Sequence, residues 1–192
     1  MTPAVDASTA VSDTEVQGSI TSGHFCASSP TYTLYFTMVF DRPFSSSGSF
    51  TNGGSVTFDA SGNRVVHAKV GLSYVSLDGA RANRAAENPN WNFDATRQAT
   101  KDAWNKLPRK IEISGGTTDQ QVVFYTAPCH SLLHPNVVSD VDGRCRGFDH
   151  RVHTVSGGQK AQYGNFSGWD IYRTQAQPHA PVAPQEAGDS AQ

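Results

Sequence analysis

Between Thr31 and Phe40 the chain alternates: Tyr32, Leu34, Phe36, Met38 and Phe40 share one face, and mostly threonine takes the other. A sustained period of two predicts a half-buried β-strand. The next segment, DRPFSSSGSFTNGG, reads as turn and loop. Ser55–Asp59 and Arg64–Ser76 then read as two arms of a hairpin around ASGN. In the second arm Val66, Ala68, Val70, Leu72 and Tyr74 alternate with His67, Lys69, Gly71 and Ser73. That pattern predicts an antiparallel sheet with one wet face. Residues 1–30 carry little periodicity, and residues 1–17 are expected to form a disordered end.

Further along, the period changes. Asp78–Glu87 is alanine-rich and predicts a short helix. Asn92 or Asp94 is placed to cap a second helix, FDATRQATKDAWNKL, which stops at Pro108. Thr117 and Gln120 have capping-box spacing for a third, DQQVVFYTAPCHSLLH. Pro128 falls inside it, lacking an N–H and facing the Phe124 carbonyl, at a cost of about 3 kcal/mol or more. From Pro135 to Gly168 the chain reads mostly as loop. A last helix is expected to start near Ser167 or Gly168 and to run through Tyr172. Beyond it, Pro178 and Pro181 interrupt the segment QPHAPVAPQEAGDSAQ. Strands first and helices afterwards predict a mixed β-then-α chain of two joined domains, divided near residue 78.

Composition changes this picture little. A net charge of −2 and a pI near 6.4 give no electrostatic case for nucleic acid or an anionic membrane. No apolar run reaches the length of a membrane span. The first twenty residues lack a basic start and an apolar core, so no signal peptide is visible. Cys26, Cys129 and Cys145 form no disulfide framework, and no CxxC spacing occurs.

The candidate chemistry gathers between His130 and Gln177. His130 and His134 stand four apart, but HSLLH lacks the Glu of HExxH, and ordinary hydrogen-bonded histidines are expected. SDVDGR, with Asp140 and Asp142, starts like a calcium loop but lacks the later acidic ligands; it reads as an acidic turn. YGNFSGWDIYRTQAQ mixes Tyr163, Phe166, Trp169 and Tyr172 with Asn165, Ser167, Asp170 and Arg173. Rings that stack on the C–H faces of a pyranose, beside short polar groups for its hydroxyls, suit a sugar site. Within GWD, Gly168 permits close approach, Trp169 can stack, and Asp170 can accept from hydroxyls near a helix start. The plainer reading makes Asp170 a helix cap and Trp169 core. Arg173 either pairs with Asp170 or reaches ligand.

This block resembles glycoside hydrolase family 92, the calcium-dependent exo-α-mannosidases. So do SITSGHFCASSPTYTLYFTMVFDRPFSSSGSF, VGLSYVSLDGARANRAAENPNWNFD, AWNKLPRKIEISGG, FYTA and HSLLHPN, in the family's order, across most of residues 18–177. The resemblance implies an N-terminal antiparallel β-sandwich joined by helices to an (α/α)6 barrel. On that pattern residues 18–77 are the end of the sandwich, 78–116 a helical linker, and 117–192 the start of the catalytic barrel. It implies an inverting enzyme that releases terminal α-linked mannose, α-1,2 foremost, from glycans outside the cytoplasm, secreted or periplasmic. Trp169, Asp170 and Arg173 would help hold the terminal mannose. The family's general acid, general base and calcium ligands would lie beyond residue 192, so no catalytic or metal residue is assigned here. By itself the chain is then expected to be inactive. Members usually carry Leu where Pro128 stands and an aromatic residue where Cys129 and Cys145 stand. The competing reading is a non-catalytic carbohydrate-binding or scaffold module.

Overall fold

The alternating segment becomes an inner strand. In the computed structural model, which describes residues 4–23, 31–50 and 52–191, β3 (Thr31–Phe40) lies between β2 (Glu15–Gly23) and β6 (Ala68–Ser73). β1 (Ala4–Ala10) adds an outer strand beyond β2, and every neighbour is antiparallel. Phe36 stands opposite Gly18 and Leu72, and Thr37 opposite Gln17 and Gly71. The expected loose end is therefore corrected: residues 1–17 include β1 and the start of β2. Short Ala, Ser and Thr side chains give no apolar period, but an open sheet edge needs only backbone groups to pair.

The expected hairpin around ASGN does not form. Instead β4 (Ser46–Phe50) pairs with β5 (Gly53–Thr57), with Phe50 opposite Gly53. Asn52, just before β5, sits at φ 65°, a left-handed conformation that asparagine tolerates better than most residues. The Arg42 guanidinium donates to the carbonyls of Asn63 and Val65, fastening the intervening loop, and β6 joins β3.

The expected wet face is the covered one. α1 (Leu77–Glu87) is capped by Ser76, whose hydroxyl accepts from the Gly79 amide, and lies over Thr37 and Gly71. Arg84 donates to Thr37 Oγ1 at 2.9 Å, and Arg81 and Arg84 both reach Glu15, at 3.1 and 3.4 Å. A Cβ on Gly71 would come 2.1 Å from the Ala80 carbonyl oxygen. Small residues let the helix backbone approach the sheet, and the bulky ones take the opposite face. There Val70 and Leu72 stay half exposed, while Phe36, Met38 and Phe40 line a cleft under the β4–β5 hairpin. Phe40 is buried, edge-on to Phe58 with ring centres 5.0 Å apart.

The chain forms two compact units, residues 1–91 with 139–154, and residues 92–138 with 155–192. The first is completed by β8 (Arg144–Arg146) and β9 (Val152–Thr154), which form a hairpin. The second holds α2 (Phe93–Lys106), a 3₁₀ turn at Pro108–Lys110, and α3 (Thr118–Ser131). Asn92 caps α2, and both halves of the Thr117–Gln120 capping box are in place on α3. α3 runs through Pro128, whose own carbonyl still accepts from Leu132. The stretch read as loop contains β7 (Asn136–Val137), paired with β10 (Tyr163–Gly164). Then come α4 (Gly168–Asp170), a π turn at Ile171–Gln175, α5 (Ala176–Val182) and α6 (Pro184–Ser190). Pro181 lies inside α5. The break falls at Ala183, φ −135° and ψ 62°, because the residue before Pro184 is held out of the helical region. The mixed β-then-α class agrees with the sequence expectation.

Candidate functional site

Ser167 starts the turn that carries the sequence-predicted site. Its extended backbone lets its carbonyl accept from the amides of Asp170 and Ile171, at 3.2 and 2.9 Å. A side chain on Gly168 would meet nothing within 4 Å. Trp169 is 79% exposed, so it is not a core residue. Asp170 is also exposed, and its Oδ2 accepts from the Ser167 hydroxyl at 2.6 Å. That contact joins two side chains of the turn; the carboxylate caps no amide, and Ser167 makes no side-chain cap. Trp169 and Asp170 thus offer an open ring face and a carboxylate in adjacent positions.

Arg173 does not join them. Its Nε donates to the Tyr172 hydroxyl at 3.0 Å, and its guanidinium lies 5.5 Å from the centre of that ring. Among the described residues no ion pair links Arg173 to Asp170. The π turn separates the two side chains, and wide turns of this kind often occur at functional sites. Gln175 fastens the turn by donating to the carbonyls of Ser131 and His134, at the end of α3. A stacking ring, a carboxylate acceptor and a guanidinium donor can between them hold a polyhydroxylated ligand.

The SDVDGR loop is spoken for internally. Asp140 is 5% exposed and accepts from the Ser73 hydroxyl and from Asn83 Nδ2, each at 2.8 Å. The Asn83 Oδ1 in turn accepts from the Val141 amide at 2.8 Å. Asp142 binds Arg144 at 2.6 Å, and the Arg144 amide and side chain hold its carboxyl below the usual range. Neither carboxylate is left for a cation, so these residues do not fit calcium. Among the described residues no three His, Cys, Asp or Glu gather as a metal site requires. Burial and the Asp140 charge push the Cys145 thiol up, and Cys129 is a half-buried free thiol. Cys26 lies outside the described residues.

Residues 79–192, more than half of the chain, match the glycosyl hydrolase family 92 catalytic domain. The chain belongs to glycosyl hydrolase family 92. A protein of Arthroderma benhamiae named an uncharacterized secreted glycosidase is 37% identical over 84 residues, which are 41% of this chain and 11% of that protein. Among solved structures, the GH92 α-mannosidase BT3965 of Bacteroides thetaiotaomicron superposes with a TM-score of 0.79 at 23% identity. The match covers 94% of this chain and 26% of that one. The GH92 glycosyl hydrolase ccman5 gives 0.82 at 24% identity, covering 98% and 26%. The inverting GH92 mannosidase BT2199 of Bacteroides thetaiotaomicron VPI-5482 gives 0.71 at 18%, covering 88% and 25%. At these identities the solved structures speak for the fold. This chain spans about a quarter of their length.

Proposed function

We propose that this GH92 chain is a segment of a secreted exo-α-mannosidase that removes terminal α-linked mannose from glycans, with α-1,2 linkages foremost. The observation that carries the reading is the family match over residues 79–192, which contains the GWD turn. Relatives named as α-mannosidases support it, one of them solved with mannoimidazole bound, and so does the relative named as secreted.

Trp169 stacks on the apolar face of the terminal sugar. Asp170 Oδ1 accepts from a hydroxyl while Oδ2 stays with Ser167. Arg173, steadied by Tyr172, donates to a sugar oxygen. Inversion needs two carboxylates roughly 6.5–9.5 Å apart to admit a water, and we assign that pair to residues other than these. Calcium is proposed for the whole enzyme only. The acidic loop here does not fit it, and no step performed by these residues passes through it.

The purified chain is expected not to hydrolyse an aryl α-mannoside, with or without calcium. Turnover that needs calcium and stops with a chelator would contradict the assignment of acid, base and metal to other residues. Mannose binding by the chain alone would instead favour a self-sufficient carbohydrate-binding module.

A further inference from the structure

The segment 165–175 carries Trp169, Asp170 and Arg173, and both of its ends return to one short stretch, residues 131–136, where α3 leads into β7. At the first end, Gly164 of β10 pairs with Asn136 of β7. Asn165 follows at φ 62°, a left-handed conformation that turns the chain out of the pair and that asparagine tolerates better than most residues. Its side-chain Nδ2 donates to Asn136 Oδ1 at 2.9 Å. A second bond sets the direction of the first. Asn136 Nδ2 donates to the Leu133 carbonyl at 2.9 Å, which leaves Oδ1 to accept from Asn165. At the other end, Gln175 Nε2 donates to the carbonyls of Ser131 and His134. Between these ends Trp169 and Asp170 are exposed, and the bond from Ser167 to Asp170 is internal to the turn. An exposed turn gains little order from packing, so its placement rests on the bonds at its ends.

We infer that Asn165 and Gln175 are positioning residues, a two-ended clamp that sets Trp169 and Asp170 in place before a sugar arrives. The inference rests on the sugar-holding role proposed for that turn. The two amides act through Trp169 and Asp170 and need no sugar contact of their own. A turn that is already ordered adds no ordering cost to binding. Losing the clamp adds that cost to the bound substrate and to the transition state alike, which raises KM and leaves kcat nearly unchanged. A role in folding alone does the reverse: lost active enzyme lowers the apparent kcat and leaves KM as it was.

The test is steady-state kinetics on an α-mannoside, in a full-length GH92 enzyme with asparagine at the positions equivalent to 136 and 165 and glutamine at the one equivalent to 175. Asn165→Gly keeps the left-handed backbone accessible and removes the side-chain amide. Gln175→Met keeps the side-chain length and removes the donors. Asn136→Ala deletes the acceptor from the other side. Each is expected to raise KM roughly two- to tenfold, as for loss of a neutral hydrogen bond, with kcat within about twofold. Asn165→Gly and Asn136→Ala together are expected to do little more than the stronger of the two, since both break the same bond. Asp170→Ala is measured beside them. If Asp170→Ala is impaired, an unchanged KM in Asn165→Gly or Gln175→Met, a fall in kcat at constant KM, or full additivity of the 136 and 165 substitutions would overturn the clamp and leave the sugar-holding turn standing. An unchanged kcat/KM in Asp170→Ala would overturn the role of the turn, and the clamp with it.

Discussion

Gly79 stands in the first turn of α1 with no room for a side chain. A Cβ there would come 2.2 Å from Asp140 Oδ2 and 2.7 Å from Ser73 Oγ. The network that fills the space joins positions 67 apart in sequence. Alanine is the better helix former by up to about 1 kcal/mol, but overpacking a filled site costs about 1–3 kcal/mol. Gly79→Ala is therefore expected to lower the denaturant midpoint. Gly188→Ala, in α6 with nothing within 4 Å, is expected to raise it by the helix-propensity term alone. If both substitutions stabilise, the Asp140 contact is not made. The sequence shows Asp140 as an acidic turn, which it is. It cannot show that the carboxylate is buried, because its partners Ser73 and Asn83 belong to a strand and a helix far upstream.

At the scale of elements, the β8–β9 hairpin is held at its tip by Asp149. Its carboxylate accepts from the Arg151 amide at 3.0 Å and faces His153 Nε2 at 3.0 Å. The His153 hydrogen bond, then the Arg151 amide, lower its pKa. A lowered folded-state pKa means the contribution is present above the unfolded value of about 3.9 and is lost as pH falls through the folded one. Amide exchange at Arg151 is expected to accelerate below about pH 4 relative to the intrinsic rate, and Asp149→Asn to remove that acid step. An exchange rate that tracks the intrinsic one throughout would show that Asp149 does not hold the tip. In α3, Pro128→Leu restores an N–H to the Phe124 carbonyl and relieves the ring clash. The isolated-helix penalty removed is about 3 kcal/mol, so helicity by circular dichroism and the denaturant midpoint should both rise. A loss in both would mean that Pro128 itself is needed by its neighbours. Helix starts were legible because caps are local: Asn92, and Thr117 with Gln120, stand where the sequence puts them. Strand partners were not. The polar arms Ser46–Phe50 and Gly53–Thr57 carry no apolar alternation to announce their pairing, and the early strand was hidden by side chains too short to show a period.

For the whole molecule, the order of strands then helices, and the family, could be read from the sequence, because both rest on patterns along the chain. Which sheet face is covered could not. Alternation marks two faces but not which of them receives α1; Gly71 and Ala80 decided that by allowing close approach. The site itself was legible as residue types. Trp169 and Asp170 do share one open turn, while Arg173 turns to Tyr172 across a π turn that no local signal announced. The central claim is that this turn holds sugar. The direct measurement is kcat/KM for an α-mannoside in a full-length GH92 relative, with alanine at the position equivalent to Asp170 and the melting temperature recorded beside it. A charge-assisted hydrogen bond is worth roughly 1.5–3 kcal/mol, so kcat/KM is expected to fall on the order of tenfold to a few hundredfold, with the melt little changed. An unchanged kcat/KM with a lowered melt would contradict the claim and leave Asp170 as a support for its own turn.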